Sequence, residues 1–180
     1  MRHMERLKHV GALTLLLALT SGVAGAQDFG AAFSGFDTGS GDPIQIEADR
    51  LEVRNEEKLA VYTGNVRVRQ GVTLLRAPAL RVFYSGQATA DGAPGSEVSR
   101  IEAGPDVKVS SQDQTASGDQ IVLDMAKDLV TVTGNVVLTQ GPNVVRGERL
   151  VVNLKSKLGR MEGGRVQTLV TPTSGQPRAQ

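Results

Sequence analysis

Residues 130–141 read VTVTGNVVLTQG, and residues 60–71 read AVYTGNVRVRQG. Each stretch alternates aliphatic or β-branched residues with polar ones and carries Gly-Asn at its centre. Alternation with period two belongs to a strand with one buried and one wet face, so the pair predicts two long, equivalent strands. A shift of 70 positions, Gly64 onto Gly134, extends the match without a gap. It superposes Asp49 on Asp119, Leu51 on Ile121, Arg76 on Arg146, Leu80 on Leu150 and Val82 on Val152. This is an internal duplication. A weaker echo runs inside each half, where Arg50-Leu51-Glu52-Val53 is repeated by Ala79-Leu80-Arg81-Val82 and Arg149-Leu150-Val151-Val152. Such repeats stack similar units into an elongated body, each burying its apolar face against the next.

Two local readings compete for Gly64-Asn65 and Gly134-Asn135. Gly in the first central position suits a tight hairpin turn, whereas Gly inside a longer strand suits a bulge or sharp bend. Polar turn signals already stand on both sides of the first copy, at residues 54–58 (RNEEK) and at Gln70-Gly71, which favours a bent strand shared by two facing sheets. Pro78, replaced by Glu148 in the second copy, would mark a similar corner in the next strand. The same alternation recurs in Ile44-Gln45-Ile46-Glu47 and Val107-Lys108-Val109, and no window sustains a helical period. Residues 42–171 are therefore expected to form one all-β domain of antiparallel strands.

The flanks read differently. Residues 1–26 have the parts of a secretory signal peptide: cations at Arg2, Arg6 and Lys8, an apolar run at 10–19, and an A-x-A site at Ala24-Gly25-Ala26. Residues 27–41 (QDFGAAFSGFDTGSG) are rich in Gly, Ser and Ala and read as a flexible linker. Phe29, Phe33 and Phe36 would form a stripe on a helix, but Gly30 and Gly35 oppose one. Residues 172–180 (PTSGQPRAQ) read as a disordered tail.

Composition excludes much chemistry. Cleavage after Ala26 removes the three cations and Glu5, so Lys+Arg falls from 20 to 17 and Asp+Glu from 19 to 18, a formal charge of −1. With 3% aromatic residues, such a domain offers neither a basic stripe nor a stacking platform, and no nucleic-acid partner is expected. His3 and His9 leave with the signal, and the chain has no Cys, so imidazole bases, thiol nucleophiles, disulfides and Cys/His zinc sites are excluded. Glu56-Glu57 lie in an expected exposed turn, residues 91–97 (DGAPGSE) lack calcium-loop spacing, and no Walker A loop occurs. No enzyme activity, metal or cofactor is expected.

If the alternation holds, one interior surface collects Ile44, Ile46, Leu51, Val53, Val66, Val68, Leu80, Val82, Ile121, Leu123, Met125, Val136, Leu138, Leu150 and Val152. These fifteen are the candidate lipid-binding residues. An ordinary filled sandwich core would use the same set, but a long array whose sheets stay apart would leave an apolar trough suited to acyl chains, each methylene contributing about 0.8 kcal/mol on burial. The array must also end. Its first strand near Ile44 and its last near Val166 present edges able to recruit another chain by strand addition, including a further copy.

Residues 42–49 (DPIQIEAD), the two T-G-N-V segments with their Q-G sequels, Ala126-Lys127-Asp128-Leu129 and residues 165–172 (RVQTLVTP) together resemble the LptA/OstA family of lipopolysaccharide-transport periplasmic proteins. The resemblance covers about 42–174. It implies a twisted, open β-jellyroll (OstA-like) in the periplasm of a Gram-negative cell, shielding lipid A acyl chains of lipopolysaccharide. It further implies head-to-tail self-assembly, with an inner-membrane LptC-like protein at the N-terminal edge and an outer-membrane LptD-like protein at the C-terminal edge. The chain departs from the family in its few aromatics and in the Gly/Pro-rich insertion at 87–96. A structural β-fibre or adhesin module with a filled core, and the periplasmic domain of the inner-membrane partner, are the competing readings.

Overall fold

The computed structural model describes residues 31–36, 42–86 and 97–171; the expected signal peptide, the 87–96 insertion, the 172–180 tail and the rest of the linker lie outside them. Among the described residues twelve strands follow one another: β1 (Gln45–Glu47), β2 (Arg50–Arg54), β3 (Leu59–Gln70), β4 (Thr73–Ser85), β5 (Glu97–Gly104), β6 (Val107–Ser111), β7 (Gln114–Gly118), β8 (Gln120–Asp124), β9 (Leu129–Gln140), β10 (Asn143–Asn153), β11 (Gly159–Glu162) and β12 (Gln167–Leu169). Every pairing is antiparallel.

Four long strands are shared. The first half of β3 pairs with β2 and its second half with β1; β4 pairs with β6 and then β5; β9 pairs with β8 and then β7; β10 pairs with β12 and then β11. Two facing sheets result, in the orders β2-β3-β4-β5-β8-β9-β10-β11 and β1-β3-β4-β6-β7-β9-β10-β12. Neighbouring strands lie about 4.8 Å apart, so eight tiers make a stack of roughly 34 Å. The ends stay open, since no ladder among the described residues joins β1 or β2 to β11 or β12.

The bend has a local chemical cause. Gly64 and Asn65 have φ of 80° and 48°, and Gly134 and Asn135 repeat them at 76° and 48°. Left-handed backbone suits Gly and Asn, and here it turns the strand and shifts its register between Thr63 and Val66. A side chain on Gly64 would run into the Asp49 carboxylate, which accepts a hydrogen bond from Asn65 Nδ2 at 2.8 Å, while the Asp49 N–H donates to Gly64 O at 3.0 Å. Asp119 braces Gly134-Asn135 in the same way, its N–H donating to Thr133 O and Gly134 O, each at 2.9 Å. Gly-Asn is thus a mid-strand corner, not a hairpin turn. Pro78 occupies the corner of β4 between the paired Ala77 and Ala79, and Glu148 the register shift of β10. All corners line one side of the stack. The tight turns, such as 55–58 and 125–128 on one sheet and Gly71-Val72 and Gln112-Asp113 on the other, line the opposite side, which we term the mouth.

Candidate functional site

The inner faces are built from cross-strand rows. In the first sheet Leu51, Tyr62, Leu80, Ala103, Ile121, Val132, Leu150 and Met161 are successive partners. Beside them run Val53, Ala60, Val82, Ile101, Leu123, Val130, Val152 and Gly159. The second sheet contributes Ile46, Val68, Leu75, Val109, Ala116, Leu138, Val145 and Thr168. Not one member of these rows is charged. The inner row nearest the mouth changes character, to Gln70, Thr73, Ser111, Gln114, Gln140 and Asn143. The second sheet therefore has aliphatic walls and an uncharged polar lip.

Ten of the fifteen candidate residues, Val66, Val68, Leu80, Val82, Ile121, Leu123, Val136, Leu138, Leu150 and Val152, are buried in one contiguous cluster to which both inner faces contribute. Ile46, Val53 and Met125 are half-buried against it. Met125 belongs to the β8–β9 turn and not to a strand, its N–H donating to Ser99 O at 3.0 Å. Ile44 and Leu51 depart from the interior set, at 39% and 41% exposed. Leu51 does face Tyr62 in register, but β2 is an edge strand with no neighbour beyond it; Ile44 precedes β1 and has no partner at all in its ladder. Alternation fixes the face a residue takes, whereas burial also requires a neighbour on each side.

The structure adds residues that the candidate set left out. Leu75, Val109, Val132 and Val145 join the rows, and the apolar doublets Leu74-Leu75 and Val144-Val145 hide their parity until the turn fixes the register of Leu75 on Val68. Tyr62 is buried, and desolvation raises its phenol above the ordinary value. More consequential is the segment expected to be a linker: Ala31–Phe33 forms a 3₁₀ turn, and Phe33 and Phe36 are 0% and 1% exposed within the same cluster. The segment forms no α-helix over 31–36, but one turn suffices to aim both rings inward.

Charges are kept off the inner rows. The shortest ion pairs, Arg54–Glu52, Arg100–Glu102, Lys127–Asp124 and Lys155–Asp128, each at 2.7 Å, lie on outer faces or turns. The Lys127 hydrogen bond holds the Asp124 carboxyl below its usual range. A shallow outer groove of about 450 Å³ at the corner is lined in part by Arg67, Arg76, Lys108 and Asp106. Arg146, equivalent to Arg76, lines a smaller groove of about 210 Å³ beside Gln167 and Leu169.

A family model described as "LptA/(LptD N-terminal domain) LPS transport protein" matches residues 45–158. The chain is 30% identical over 173 residues to the lipopolysaccharide export system protein LptA of Escherichia coli (strain K12), covering 92% of this chain and 89% of that protein. An uncharacterized protein of Rhizobium meliloti (strain 1021) is 34% identical over 160 residues, covering 87% and 86% of the two chains. Among solved structures, LptH of Pseudomonas aeruginosa, described as the LptA-homologous periplasmic component of a lipopolysaccharide transport device, shares the fold with a TM-score of 0.62 at 18% identity, over 73% of this chain and 96% of that one.

Proposed function

The chain belongs to the family of LptA and LptD N-terminal-domain lipopolysaccharide transport proteins, and from that premise we propose that it is a non-enzymatic periplasmic carrier, moving lipopolysaccharide with its acyl chains against the inner rows. One observation carries the reading: the inner rows run the length of an open-ended stack without a charge. Aliphatic walls of uniform chemistry bind neighbouring positions about equally, so a chain moves along them without a deep trap. Nothing in the chain resembles a nucleotide-binding loop, and the energy for directional transport is supplied elsewhere.

The two ends support assembly. Ile44 and Leu51 at one end, and Val166, Leu169 and Val170 at the other, are exposed apolar residues beside unpaired strand edges. Adding β1 of one copy to β12 of the next, and β2 to β11, would continue both walls, with an LptC-like protein at the N-terminal edge and an LptD-like protein at the C-terminal edge of the resulting bridge. Among the described residues no helix is long and apolar enough to cross a membrane.

The filled-core fibre keeps one argument in its favour, the mutual contact of the two inner faces. Photoreactive residues at Leu123 and at Asp124, in protein expressed in its native envelope, separate the readings. Lipopolysaccharide adducts from Leu123 but not Asp124 are expected of the carrier; no adduct from either, in folded protein, supports the fibre.

A further inference from the structure

We propose that the segment Ala31–Phe36 is an internal plug at the mouth, that its two phenyl rings occupy the place where an acyl chain first enters, and that loading displaces it; this rests on the lipid-carrying reading above. Phe33 and Phe36 are among the largest fully buried side chains, and they belong to the same cluster as the aliphatic rows. The segment packs on β6 and β7 at the polar lip. Gly35 lies so close to Thr73 and to Gln70 O that a β-carbon there would overlap them, so the fit is specific.

What holds the segment there is also what lets it leave. Among the described residues its backbone-to-backbone hydrogen bonds are internal, Ser34 N–H to Ala31 O at 3.2 Å and Phe36 N–H to Phe33 O at 2.9 Å. Its polar ties to the sheet run through side chains: Gly35 N–H donates to Thr73 Oγ1 at 3.0 Å, and the hydroxyls of Ser34 and Ser111 lie 3.5 Å apart. Leaving breaks no strand ladder. It exposes Thr73 and Ser111, hydroxyls that water satisfies, and frees apolar wall that water does not. An acyl chain replaces the rings surface for surface, whereas a water-soluble ligand does not. A plug of this kind keeps the lip closed when no lipid is present and shifts its equilibrium only for a ligand that competes for the same surface.

The absence of cysteine makes the test direct. In the mature protein, Ser34→Cys with Ser111→Cys puts two thiols where the hydroxyls are 3.5 Å apart, and oxidation locks the segment down. Binding of purified lipopolysaccharide is measured for wild type and for the oxidised and reduced double variant. The expected result is about tenfold or more weaker loading when oxidised, restored by reductant. In the single variant Ala32→Cys, at a position 0% exposed while the segment is seated, maleimide labelling of the thiol is expected to accelerate when lipopolysaccharide is added. Wild-type loading with an oxidised variant that loads equally well, or Cys labelling unmoved by bound lipid, overturns the plug while leaving the carrier intact. Failure of wild type to bind lipopolysaccharide overturns the carrier reading, and the plug falls with it.

Discussion

Two pairs of residues, Asp49 with Asn65 and Asp119 with Asn135, set the cross-section of the molecule by bracing a bend that the backbone alone would resist. Gly134→Ala is expected to cost about 1–3 kcal/mol, because it combines a positive φ with a β-carbon driven into the Asp119 side chain; chemical denaturation with an unchanged m-value checks it. Asp119→Ala removes a brace at the surface and is expected to cost about 1 kcal/mol by the same measurement. Tyr62 supplies a pH dependence. Burial raises its phenol pKa in the folded state, so its contribution to stability is complete below the unfolded value near 10 and is lost as pH rises above it. Tyr62→Phe is expected to flatten the alkaline limb of the stability curve relative to wild type, measured by denaturant titration at successive pH values.

Among the strands, position in the stack decides the worth of a side chain. Leu123, in a central strand with partners on both sides, is expected to cost about 2–5 kcal/mol on truncation to Ala, whereas exposed Leu51 on edge strand β2 is expected to cost about 0.5 kcal/mol or less. Thermal or chemical denaturation of the two variants checks the contrast. It also marks the reach of the sequence. The duplication made the strands, the Gly-Asn corners and ten of the inner residues legible, because period and repeat are properties of the chain. Which strand is an edge is a property of the assembled stack, and for that reason alternation alone places Ile44 and Leu51 in an interior that neither fills. Phe33 and Phe36 escaped for a related reason: a short Gly-containing segment carries no period, and its burial is conferred wholly by the lip it lands on.

For the whole molecule, both ends of the stack are unfinished sheets. Thr168→Pro in β12, which removes a backbone donor from that edge, is expected to abolish concentration-dependent head-to-tail association in sedimentation experiments while leaving the far-ultraviolet β signature in place. The corner side has a consequence of its own. Four strands run through it unbroken, and among the described residues every ladder joins strands within a sheet, so none spans the mouth. The molecule is accordingly stiff along its stack and compliant across it. Opening it like a book on its spine would cost apolar contact between the two inner faces and no strand pairing, which a closed barrel does not allow.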